Sequence, residues 1–172
     1  MSHTAPVHAA TPRPRARHEA PPDSALVLLM HDHREVEALF KRYEVIKDHP
    51  TRGEKTRLVQ EACRALMIHT EIEEKLLYPA ARRVLDETDL VEEAGIEHES
   101  IKLLIARIET MKANSPKYDA VFKVISEYVA HHVREEEEEL FPKLRRAGLD
   151  TQALANEMRR YRERLMTRFP PH

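Results

Sequence analysis

The strongest constraint on the fold is an internal repeat. "HTEIEEKLLYP" starts at His69, and "HVREEEEELFP" starts 63 residues later at His132. Within it His69 aligns with His132, Glu73 with Glu136, Glu74 with Glu137, Tyr78 with Phe141 and Pro79 with Pro142. The segments before them match at a shift of 65: "DHREVEALF" around His33 lines up with "EHESIKLLI" around His98, and Asp32 answers Glu97. A chain built this way reads as two helical hairpins. Each carries a lone His on its first helix and a His-x-x-x-Glu on its second.

The rest of the sequence favours helices. The chain has 172 residues, 41% of them hydrophobic, which is enough for one domain with its own core. Gly is scarce, at 3 residues, and Trp is absent, while strong helix formers are abundant. Apolar residues recur at helical spacing on four stripes, among them Leu26, Leu29, Val36 and Phe40; Ala62, Leu66 and Leu76; Ala94, Ile101 and Ile105; and Val121, Ile125 and Val129. The expected architecture is all-α, an up-down-up-down four-helix bundle. It is preceded by a disordered Pro/Arg-rich tail over 1–22, spans 23–149, and is followed by a short fifth helix and tail over 150–172.

Local signals set the expected helix ends. Asp23 or Ser24 caps the first helix, Thr51 with Glu54 forms a capping box for the second, and Glu92 completes another after Asp89. Ser115 with Pro116 opens the fourth. Pro79 is expected to kink the second helix, Gly148 to close the fourth and Asp150 to cap the fifth. That fifth helix, with its basic "RRYRER", reads as an appendage with a solvated face.

Composition also excludes functions. A net charge of -2 gives no strong field for nucleic acid. No apolar run is long enough to span a membrane, and no secretory apolar stretch opens the chain. The single Cys63 excludes an intramolecular disulfide and reads as a small buried hydrophobe. A cytoplasmic location is the default expectation.

Residues four apart share a helix face. His69 and Glu73 therefore point the same way, as do His132 and Glu136, and both pairs lie within apolar stripes. So do His33 and His98. Four imidazoles and two carboxylates thus face the middle of the bundle. An unpaired ionised carboxylate there is very costly, and no Lys or Arg lies on these stripes at that level. A bound cation is the simplest compensation. Any one of these histidines alone reads as an ordinary core or surface residue; the matched set points to metal. In the run Glu135–Glu139, Glu136 is the inward member and the others are outer or flanking. His31 and His131 are rotated away, His3, His8 and His18 lie in the tail, and His49 sits beside Pro50 at a helix end.

The histidine set with HxxxE followed by "YP" or "FP" resembles the hemerythrin-like family, also called the HHE cation-binding domain. The resemblance spans residues from about 24 to 147. It implies a four-helix bundle around a non-heme di-iron centre. Carried over, His33, His69, Glu73, His98, His132 and Glu136 match the ligand positions. It also implies two non-heme Fe ions, with Mn or Zn as alternatives, bridged by oxo or hydroxo. Two departures stand out. Oxygen carriers of the family have a further His where this chain has Lys102, and their fourth-helix carboxylate can sit one residue later, here Glu137. Ferritin-like di-iron proteins use the reverse order, Glu-x-x-His, with more carboxylates. Counting donors leaves roughly two of the twelve positions of two octahedral irons open. Tyr43 and Tyr128, on or near inner stripes, are candidates to close one. The implied function is binding or sensing of O2, NO or a related small oxidant, its state read by a protein partner. A di-iron enzyme acting on peroxide, NO or O2, or an iron storage or repair protein, are the alternatives. Neither a nucleic acid nor a membrane is an expected partner.

Overall fold

The structure, a computed structural model, describes residues 24–51 and 53–170. The expected N-terminal tail and the Asp23 cap lie outside the described residues. The elements are α1 (Ala25–Ile46), α2 (Glu54–Ile72), a π-turn (Glu73–Leu77), α3 (Tyr78–Val84), α4 (Asp89–Glu109), α5 (Tyr118–Glu135), a second π-turn (Glu136–Leu140), α6 (Phe141–Arg146) and α7 (Gln152–Arg168). Each π-turn joins its two flanking helices into one continuous rod. Among the described residues the regular elements are all helices, and four long rods form the bundle, as the repeat predicts.

Several helix ends differ from the local signals. Ser24 sits at the N-cap of α1, but its hydroxyl makes no capping bond. Asp150 does the work from the far end of the chain, accepting the Leu26 N–H at 3.0 Å. That occupies Asp150, and Thr151 caps α7 instead, accepting the Leu154 N–H at 3.1 Å. Glu54 reaches back to the amide and hydroxyl of Thr51 at 3.1 and 2.6 Å, but α2 begins after Gly53, whose φ of 77° favours glycine. Glu92 accepts two bonds from Arg82, at 2.7 and 3.1 Å, and closes no box. The fourth rod starts at Tyr118, not at Pro116. Gly148, at φ 75°, ends α6 as expected, and the Leu149 N–H returns to the Leu144 carbonyl at 3.0 Å.

Pro79 and Pro142 explain the π-turns. Proline has no N–H and its ring crowds the carbonyl four residues back. Both helices widen by one residue just before it. The Tyr78 N–H donates to the Glu73 carbonyl and the Phe141 N–H to that of Glu136. The expected kink at Pro79 is thus taken up as a wider turn, a feature frequent at functional sites.

α7 is no appendage. It packs on α1 and α2 and buries Leu154, Ala155, Met158 and Leu165. Tyr161 donates to Glu71 at 3.3 Å, and Arg64 donates to the Phe169 carbonyl at 2.5 Å. Two apolar clusters fill the bundle. One holds Leu26, Ile72, Leu77, Phe141 and the α7 residues; the other holds Phe40, Tyr43, Leu66, Ile101, Phe122 and Ile125. A polar layer of histidines and glutamates lies between them.

Candidate metal centre

Each rod brings one histidine to this layer: His33 from α1, His69 from α2, His98 from α4 and His132 from α5. All four are buried, and so are Glu73 and Glu136 at the start of the π-turns. The structure thus brings together all six residues that the sequence singled out.

Their ring orientations follow one rule. Every Nε2 faces inward. Those of His33 and His69 are 3.2 Å apart, and those of His98 and His132 are 3.0 Å apart. Every Nδ1 faces an outer carboxylate: His33 with Glu137 at 2.8 Å, His69 with Asp32 at 3.5 Å, His98 with Glu74 at 3.0 Å and His132 with Glu97 at 2.7 Å. A carboxylate at Nδ1 fixes the proton there and leaves Nε2 as the electron donor. Two facing lone pairs at this separation repel unless a cation or a proton lies between them.

The inner carboxylates link the two halves. Glu73 Oε2 lies 3.1 Å from His69 Nε2 and 3.3 Å from His98 Nε2. Glu136 Oε2 lies 3.4 Å from His33 Nε2 and 3.5 Å from His132 Nε2. Yet both oxygens of Glu73, and Oε2 of Glu136, are buried without a hydrogen-bond partner. Such atoms carry a desolvation cost that metal coordination removes. The donors gather into two overlapping groups: His33, His69, Glu73 and Glu136, and Glu73, His98 and His132. The donor set fits metal ions.

The electrostatics agree. Burial opposes charge on His69, but Glu73 and Asp32 beside it push its pKa up to about 10. Burial likewise opposes charge on Glu73, yet His69 and His98 hold it well below the usual carboxylate range. His33 and His98 are raised against their burial, by Glu136 and Glu137 and by Glu73 and Glu74 respectively. Without metal, the centre therefore retains protons.

Four roles at the site were not read from the sequence. The first is the ring of outer carboxylates, whose signal lay in the repeat: Asp32 answers Glu97 and Glu74 answers Glu137. The second is Tyr78, whose hydroxyl donates to Glu136 Oε1 at 2.9 Å and lies 3.2 Å from His98 Nε2. Burial and the charges of Glu136 and Glu73 push that phenol well above its ordinary pKa. The expected tyrosines do not reach the site: Tyr43 bonds Asp119, and Tyr128 is exposed. The third is Lys102, which grips both oxygens of Glu74 at 2.6 and 2.7 Å. The fourth is Arg162 on α7, bonded to Asp32; this member of "RRYRER" is only partly exposed and turns inward to the site. Glu137 bonds the outer edge of His33, which leaves Glu136 as the inward residue. His131, with 48% of its side chain exposed, lies 3.2 Å from Glu135 and outside the centre. His31 is exposed as well. Cys63 is buried, and burial pushes its thiol up to about 12.

A bundle of four rods around a buried layer of inward imidazoles and carboxylates defines a metal-binding helical protein. The Hemerythrin HHE cation binding domain matches residues 24–166, and the chain belongs to that family. A protein of Nostoc sp. described as a DNA nickase is 27% identical over 140 residues. The match covers 80% of this chain and 39% of that relative. No solved structure matches the chain. Among the described residues no helix is long and apolar enough to cross a membrane.

Proposed function

We propose that His33, His69, Glu73, His98, His132 and Glu136 hold two metal ions, and that the chain uses them to bind or sense O2, NO or a related small oxidant. One observation carries this reading: three carboxylate oxygens are buried without partners among four inward-facing imidazole nitrogens. Mixed imidazole and carboxylate donors suit non-heme iron, with manganese or zinc as the alternatives. Bound there, iron supplies redox chemistry toward O2, NO and peroxide. The chain's own residues do the rest. The outer carboxylates hold each ring in its donor orientation. Glu73 and Glu136 each lie between histidines of opposite hairpins. A small space of about 10 Å³ is bounded by all four histidines with Leu66, Ile101 and Val129. That is about the room for one water-sized molecule, which favours a diatomic over a larger ligand. The Tyr78 hydroxyl stands beside the centre as a hydrogen-bond donor. It favours a second reading, an enzyme acting on peroxide, NO or O2.

The nickase activity belongs to a relative of which this chain matches 39%. We carry over no nucleic-acid partner, since a net charge of -2 gives phosphates little attraction. The test is metal content per chain in protein purified without added metal, with its optical spectrum. Near two irons per chain with charge-transfer absorption is the expected result, and one zinc or no metal removes the redox reading. Reversible O2 binding would then favour a carrier or sensor, and rapid peroxide turnover an enzyme.

A further inference from the structure

The two-hairpin symmetry gives the bundle two equivalent seams between hairpins, and they are not treated alike. One lies between α2 and α4, the other between α1 and α5. In the α2–α4 seam a groove of about 310 Å³ is lined by Met67, Lys102, Ile105 and Ala106. The end of α7 closes on it, with Phe169 and Arg168 among its lining and Arg64 holding the Phe169 carbonyl. Lys102 seals its inner end by gripping Glu74. In the α1–α5 seam the matching positions are Ala130, Glu37, Phe40 and Lys41. There the groove is open and measures about 510 Å³. Glu37 pairs along its own helix with Lys41 at 2.6 Å, so it does not cross the groove as Lys102 does in the other seam. Its inner end is His33 with Glu137, and it shares the wall of His33, Val129 and Val133 with the small space beside the four histidines.

We propose that the α1–α5 groove is a binding site for a small, uncharged, flat aromatic molecule, seated against the outer face of His33, Val129 and Val133. The chemistry of the occupant is argued from the molecule itself. The equivalent groove carries an aromatic side chain, Phe169. The open one has an apolar floor of Phe40, Val129, Ala130 and Val133, and charges of both signs on its rim. Opposed rim charges neither demand nor reward a net charge on the ligand. The volume lies in the range that holds small organic ligands. The groove needs no metal, so it stands or falls separately from the reading of the centre.

The test uses the purified full chain, both as isolated and after chelation, titrated with indole by calorimetry and by the methyl signals of Val129 and Val133. Ala130 is exposed on the groove floor, so Ala130→Trp fills the groove without disturbing the core. The expected results are a single site in the wild type, affinity reduced by roughly tenfold or more in Ala130→Trp, and no change in Ala106→Trp, which alters the covered groove instead. Phe169→Ala uncovers that groove and is expected to add a second site. Indole that binds Ala130→Trp as well as wild type, or that fails to bind wild type in both states, overturns the proposal. Binding that Ala130→Trp removes and Ala106→Trp leaves intact supports it, whatever the metal content proves to be.

Discussion

Six side chains at one level do different jobs, and single substitutions separate them. His69→Ala and His132→Ala each remove an inward Nε2 and are expected to lose metal, whereas His131→Ala is expected to keep it. His131 is the sequence neighbour of His132 but its side chain is 48% exposed. Metal content per chain decides; equal loss in all three variants contradicts the assignment of faces. The outer carboxylates act at one remove. Glu137→Gln and Glu97→Gln each take the negative charge from an Nδ1 partner, at 2.8 Å from His33 and 2.7 Å from His132. Losing such a partner typically costs about 10–100-fold in metal affinity. A competition titration with a chelator is expected to show that loss while circular dichroism shows an intact fold.

At the scale of the element, α7 and the π-turns are where sequence and structure part. α7 is held by buried residues, so Met158→Ala, at a fully buried position, is expected to cost about 2–5 kcal/mol. Urea unfolding measures it, and a loss under about 0.5 kcal/mol, ordinary for surface sites, would return α7 to a mere appendage. The inward set of four histidines and two glutamates was legible because His and Glu four apart repeat in both hairpins, and a spacing of four survives any detail of the bundle. Tyr78 was not legible for a geometric reason. It lies five residues past Glu73, off that face in an α-helix of 3.6 residues per turn. The π-turn, closing from Glu73 to Tyr78, brings it back into line. Arg162 was hidden differently. Its target Asp32 is 130 positions earlier, and no local period reports a contact between elements so far apart. The capping boxes failed for different reasons: Arg82 takes the Glu92 carboxylate, and Gly53 rather than Thr51 sits at the N-cap of α2.

For the whole molecule, metal and protons compete for one layer of side chains, since ligating histidines must be deprotonated. In chelated protein the pH dependence has a definite sign. His69 is raised to about 10, so its protonated form stabilises the fold fully below about 6.5 and that contribution disappears as pH climbs through 10. Burial works against Asp32, Glu73, Glu74 and Glu97, yet their partners hold each below its ordinary pKa, so their contribution is present above about 4.5 and lost as pH falls below it. Urea midpoints of chelated protein are therefore expected to be highest between these limits and to fall on either side; a midpoint still rising at pH 9.5 contradicts the sign. Metal added back replaces the protons, and its affinity is expected to weaken as acid is added. The outer carboxylates carry one more consequence. Asp32 and Glu97 orient histidines of their own hairpins, while Glu74 and Glu137 orient histidines of the opposite one. The layer is therefore a clasp whose halves interlock. Prising one hairpin from the other misaligns rings on both, so metal affinity and the docking of the hairpins are expected to fall together.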